Sequence, residues 1–156
     1  MTEQEALTTL RGDDVAAAAH AAALLWQMWH ESGDARIDRL LLDGIEAMER
    51  QDLEGADAIF TRLISVAPAF AEGWNKRATV RYMAASYADS IADCRETLAR
   101  NPHHFGALSG QGLCHLMLGQ YREAADLFRR TLAVHPHLTS ARSNLRAALN
   151  EIAKLN

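Results

Sequence analysis

Histidine is the residue in this chain best suited to chemistry near neutral pH, and four of the seven, His103, His104, His135 and His137, lie within two residues of a proline. An imidazole can ligate a metal or move a proton. His103 and His137, however, occupy equivalent positions 34 residues apart. On packed helices such positions lie on the order of 10 Å from each other, too far to share an ion with bonds of about 2 Å. No HExxH or Cys/His spacing accompanies them, so they read as solvated turn histidines and no metal site is expected. Gly110-Gln111-Gly112-Leu113-Cys114-His115 opens like a dinucleotide fingerprint, but His115 stands where the last glycine belongs and no strand pattern precedes it. Ser109 lacks the GxSxG elbow, and Cys114 beside His115 on a helix points away from it. Asp13-Asp14 suits a helix N-terminus better than acid/base catalysis. The expectation is a protein without catalytic residues or cofactor.

The elements that carry these residues follow from composition. A chain of 156 residues with 49% hydrophobic content can bury one proper core. Alanine, leucine and arginine dominate, prolines number three, and no Gly/Ser-rich linker divides the sequence, so an all-α domain is expected. A net charge of −4 with scattered basic residues argues against nucleic acid or an anionic membrane as partner. Cys94 and Cys114 form no CxxC and read as free buried thiols. The apolar run Ala16–Leu25 is preceded by Asp13 and Asp14 where an export signal needs positive charge, so a cytoplasmic address is expected, or a periplasmic one if the sequence is a trimmed mature form.

Pro68, Pro102 and Pro136 set a period of 34 residues. The same step aligns Leu53 with Tyr87 and Tyr121, Ala56 with Ser90 and Ala124, Phe60 with Cys94 and Phe128, and Ile64 with Leu98 and Leu132. Gly44, Ala78 and Gly112 take a small helix-crossing position, and Gln51, Ala85 and Gly119 the turn between two helices. On Trp74, these small columns, the A-x3-F stretches and the closing prolines, the chain resembles the tetratricopeptide repeat family. Ala71–Thr79, His104–Leu108 and His135–Leu138 look like a group of small bacterial repeat proteins within it. The departures are Asp43, Arg77 and Gln111 in the leucine column, and Ala47, Arg81 and His115 in the tyrosine column.

The resemblance implies an α-solenoid of three helix-turn-helix repeats, at residues 37–70, 71–104 and 105–138, with a capping helix at 139–156. Residues 1–36 are expected to form an arm with one helix from Val15 to Glu31. Its nearly all-apolar stretch suits burial, with Trp26 and Trp29 covering the open face of the first repeat. Residues 15–31 could instead join two copies or lie in a groove.

Such a fold implies a protein-interaction scaffold. The concave face is expected to bring together Leu41, Ile45, Met48, Asn75, Lys76, Thr79, Met83, Ser109, Leu113, Met117 and Asn144, a soft Met/Leu stripe with few polar groups. Lys76 is its main cation, against Asp38, Glu49 and Glu72, so a neutral or basic protein or peptide segment is the expected partner. The alternative is a homo-oligomer whose groove or first repeat is covered by the N-terminal helix. Gly106 and Gly110 inside a helix imply that a neighbouring helix or a ligand backbone approaches closely there.

Overall fold

A computed structural model describes all residues, Met1–Asn156, as nine α-helices without a strand. They are α1 (Glu3–Leu10), α2 (Val15–Trp29), α3 (Ala35–Glu49), α4 (Leu53–Val66), α5 (Ala71–Met83), α6 (Tyr87–Arg100), α7 (Phe105–Met117), α8 (Tyr121–Val134) and α9 (Thr139–Lys154). From α3 onward each helix packs against the next, and α3, α5, α7 and α9 also touch in sequence. These odd-numbered helices therefore line the inner side of a curved stack.

The 34-residue period has a backbone counterpart. Gln51, Ala85 and Gly119 turn α3 into α4, α5 into α6 and α7 into α8 with φ of 62°, 59° and 73°. This left-handed conformation is free to glycine and costly to the other two. Pro68, Pro102 and Pro136 each stand two residues beyond a helix end, where proline's bar on helical geometry in the preceding residue stops propagation.

Packing within each pair depends on a small residue facing a large one. A Cβ on Gly44 would lie 2.6 Å from Phe60 Cζ, and one on Gly112 would lie 2.7 Å from Phe128 Cε1. Both rings are fully buried, which stabilises each by roughly 1.5–3 kcal/mol. They pack against the first helix of their own unit. In the middle unit the pair changes to Ala78 and Cys94, and Ser90 Oγ donates to Ala78 O at 2.7 Å.

Two of the departures from the family pattern, Arg77 and Arg81, are a polar substitute for apolar packing. Arg77 holds Asp93 through two bonds of 2.8 Å, and Arg81 bonds Asp93 at 2.9 Å and Asp57 at 3.2 Å. Asp93 is buried in a column otherwise held by Ile59 and Leu127, so its charge demands these partners. The bond to Asp93 raises the Arg77 pKa.

Residues 1–36 differ from expectation. Two helices form: Thr2 and Glu5 close a capping box on α1, and Asp14 caps α2. Ala6, Leu7 and Leu10 meet Ala18, Ala21 and Leu25 in a core completed by Phe105 of α7, with Val134 against it. The hairpin thus docks on the later units instead of covering the first. Trp26 sits edge-on to His104 and Phe105 at 5.3 Å, Trp29 stacks on His104 at 4.8 Å, and His137 Nε2 hydrogen-bonds Gly12 O at 2.7 Å. The reason is complementarity: rings find rings at the start of α7. A Cβ on Gly106 would lie 2.6 Å from Trp26 Cη2, so the missing side chain makes Trp26's seat. The outer side of the first unit offers Arg36, Arg39 and Asp43 instead, and Leu42 and Val66 stay exposed.

Candidate functional site

The inner face divides the expected groove residues into four sets. In the first unit Leu41 is buried at 3% exposure, and Ile45 and Met48 pack against the same core as Phe60 and Leu63, so these three serve stability. Toward the far ends of α5 and α7, Thr79, Met83 and Met117 are exposed, and Leu113 is half-buried against the core of the last unit. Ser109 and Asn144 are half-buried. Asn75 and Lys76 belong to a charge cluster.

Glu72, on the first turn of α5, is the centre of that cluster and is fully buried. Asn75 Nδ2 donates to its Oε1 at 2.8 Å, His104 Nε2 donates to its Oε2 at 2.9 Å, and Lys76 Nζ and His30 Nε2 each lie 3.6 Å from Oε1. His104 caps α7: its Nδ1 accepts the Ala107 N–H at 3.0 Å, which leaves the ring proton on Nε2, facing Glu72. Burial pushes the Glu72 carboxyl upward, but the His104 hydrogen bond and the Lys76 charge prevail and hold it below its ordinary value of 4.5. Lys76 lies 5.8 Å over the Trp26 ring, and His30 Nδ1 bonds Trp26 O, so the cluster also fastens the hairpin.

The sequence pattern placed all four histidines near the prolines in solvent, and that is corrected for three. His104 is fully buried, His135 is buried against Phe105, and His137 is partly covered by its bond to Gly12. Only His103 is exposed. The one advance signal for His104 was its position immediately before α7, where a capping side chain is wanted.

Both thiols are buried and unpaired. Burial pushes Cys94 up to about 12 and raises Cys114 as well, which suits inert packing. Between α5, α6 and α7 lies a cavity of about 140 Å³, lined by Asn75, Thr79, Tyr82, Cys94, Gly110 and Leu113 among others. Gly106, on which Trp26 packs, is one of its lining residues. No helix is long and apolar enough to cross a membrane.

This architecture, paired helices stacked with a 34-residue period and a small residue at each crossing, is that of an all-α solenoid of tetratricopeptide repeats. Residues 84–137 match the family model described as "Tetratricopeptide repeat". The chain is similar to a TPR repeat-containing protein of Rhizobium etli, 29% identical over 125 residues, which are 80% of this chain and 61% of that protein. It thus spans less than two thirds of that relative's length. Among solved structures it is similar to the first TPR of Spaghetti (RPAP3) bound to the HSP90 peptide SRMEEVD. The TM-score is 0.75 at 21% identity, over 77% of this chain and 96% of that one. The Sgt2 TPR domain from Aspergillus fumigatus gives 0.75 at 20% identity, over 79% and 83%. At these identities the structural likeness establishes the fold alone.

Proposed function

We propose that this chain is a protein-interaction scaffold that holds a neutral or basic segment of a partner protein along α5 and α7. The observation that carries the reading is the exposed pair Met83 and Met117, at 40% and 54%, each four residues on along its helix from a residue that lines the cavity, Thr79 and Leu113. Flexible thioethers beside a recess suit apolar anchors of varied shape. The RPAP3 domain, similar in fold, is solved with a peptide ending in acidic residues, and that likeness supports a peptide as occupant. The end of this peptide is another matter. Gripping an acidic chain end takes several convergent cations and amide donors, whereas here Lys76 and the Asn75 amide already serve Glu72. Self-association through residues 15–31 is the weaker alternative, since Ala18, Ala21 and Leu25 are already buried within the chain.

The test is cross-linking of proteins captured by the intact chain and by a Met83→Asp/Met117→Asp variant. Both side chains are exposed, so the fold should survive the change. Cross-links from α5 and α7 that vanish in the variant support the reading. An identical set of captured proteins from both forms places the interface elsewhere.

A further inference from the structure

The cavity between α5, α6 and α7 has a sequence origin. Phe60 and Phe128 fill the corresponding space in the first and third units, while the middle unit has Cys94 in that column and Ala78 at the crossing. A thiol replaces a ring, and the difference is left open. Gly110 extends the opening: a Cβ there would meet only Cys94 Sγ, at 3.8 Å, so no neighbouring helix requires this glycine. Its place mid-helix is unfavourable relative to alanine without any packing return. Gly106, by contrast, is required by Trp26. A cavity of about 140 Å³ is large enough for one side chain, since apolar cavities of roughly 150 Å³ admit a benzene-sized guest.

The polar edge of the cavity has a defined sense. A carboxylate only accepts, so the bond between Asn75 and Glu72 must use the Asn75 amide nitrogen. The carbonyl Oδ1 is then the end turned away from Glu72, on a residue that lines the cavity. Reversing the amide would set Oδ1 against a buried carboxylate.

From this geometry we infer that the cavity is a binding pocket for one uncharged aliphatic residue of the partner, its side chain seated between Cys94 and Gly110 and its backbone N–H donated to Asn75 Oδ1. The inference rests on the scaffold reading and narrows it. A free carboxylate is disfavoured at the same place, because it would meet Oδ1 with Glu72 behind it. The wall is uncharged, being Ala78, Thr79, Tyr82, Ser90, Cys94 and Leu113.

The experiment titrates the intact chain with N-acetyl-leucine N-methylamide, and separately with N-acetyl-leucine carrying its carboxylate, followed by proton–nitrogen NMR. The neutral probe should give saturable shifts at Gly106, Gly110, Leu113 and the Asn75 amide, with at least tenfold weaker binding of the carboxylate probe. Two variants fill the cavity from opposite walls, Gly110→Leu from α7 and Cys94→Leu from α6. Each should lose at least tenfold in affinity for the neutral probe while keeping the parent helical spectrum, so one misfolded variant leaves the other decisive. Equal affinity for the two probes, absence of saturable shifts, or binding that survives in a folded cavity-filled variant would overturn the pocket. Loss of Met83 and Met117 cross-links bears on the scaffold reading alone, so the two failures are distinguishable.

Discussion

His104 Nε2 donates to Glu72 Oε2 across 2.9 Å with both side chains fully buried, so the start of α7 and the start of α5 are joined by a hydrogen-bonded charge beneath Trp26 and Trp29. Removing the carboxylate strands three donors, from Asn75, His104 and Lys76. Glu72→Ala should therefore cost about 3–5 kcal/mol, the usual penalty for breaking a buried pair from one side. Glu72→Gln keeps an acceptor and should cost clearly less. Urea unfolding of both variants decides it, and indistinguishable midpoints would refute the cluster's structural role.

Acid should weaken the same cluster. The Glu72 carboxyl has its pKa lowered in the folded chain relative to an ordinary 4.5. Its stabilisation is thus present above that value and is lost as pH falls through the lower folded one. The melting temperature should fall as pH goes from about 5.5 toward 3.5, and fall less in Glu72→Gln, which has no carboxyl to protonate at this position. Parallel pH profiles for the two proteins would contradict this.

Deleting residues 1–34 should leave α3–α9 helical but uncover Phe105 and Val134. A melting temperature lower by at least ~5 °C is expected, equivalent to a kcal/mol or so. Hydrogen exchange locates the change: amides at the start of α7 should lose protection while those of α3 keep it. Selective deprotection of α3 would restore the idea that the arm covers the first unit.

The three turns offer a backbone test. Ala85 has φ of 59° where Gly119 has 73°. Ala85→Gly should stabilise by roughly 0.5–1 kcal/mol, because left-handed geometry costs alanine about 1–2 kcal/mol and glycine's extra chain entropy returns part of it. Gly119→Ala should do the reverse. Thermal melts of the pair would expose an error if the signs agreed.

What the sequence made legible is what repeats. Three prolines and the small residues at 44, 78 and 112 fixed helix pairs, crossings and turns, since each column answers to one local constraint met three times. What it hid occurs once. The Thr2/Glu5 capping box was present in the sequence, but the expected arm had one helix, from Val15 to Glu31, so α1 was missed. The hairpin's seat depends on Gly106 admitting Trp26, a contact between residues 80 apart that no period encodes. Glu72 stands in a column with Asp38 and Gly106, and nothing local distinguishes a buried carboxylate from an exposed one.

Crossing positions can be compared directly. Ala124 is fully buried in a unit where Phe128 and Gly112 leave no space. Ser90 occupies the same column but borders the open cavity. Ala124→Leu should cost about 1–3 kcal/mol through overpacking, and Ser90→Leu less, because its side chain can enter the cavity. Equal urea midpoints for both variants and the parent would show that the crossings are misassigned.

The last expectation concerns what holds a partner in place. Lys76 is neutralised by Glu72 and covered by Trp26, and the remaining inner face of α5 and α7 presents Thr79, Met83, Leu113 and Met117. Affinity should then come from apolar burial, which salt does not screen, with Asn75 supplying one hydrogen bond. A peptide selected from a displayed random library on the intact chain supplies the ligand for calorimetry. Met117→Ala should weaken its binding about tenfold, corresponding to about 1.4 kcal/mol of lost side-chain contact. Asn75→Ala should weaken it too, by a factor that includes the disturbance of Glu72. Raising salt from about 0.05 to 0.3 M should change affinity less than about threefold, because screening over a Debye length of roughly 10 Å acts only on exposed charge pairs. Wild-type affinity in both variants, or binding abolished by salt alone, would move the interface to a charged surface outside this groove.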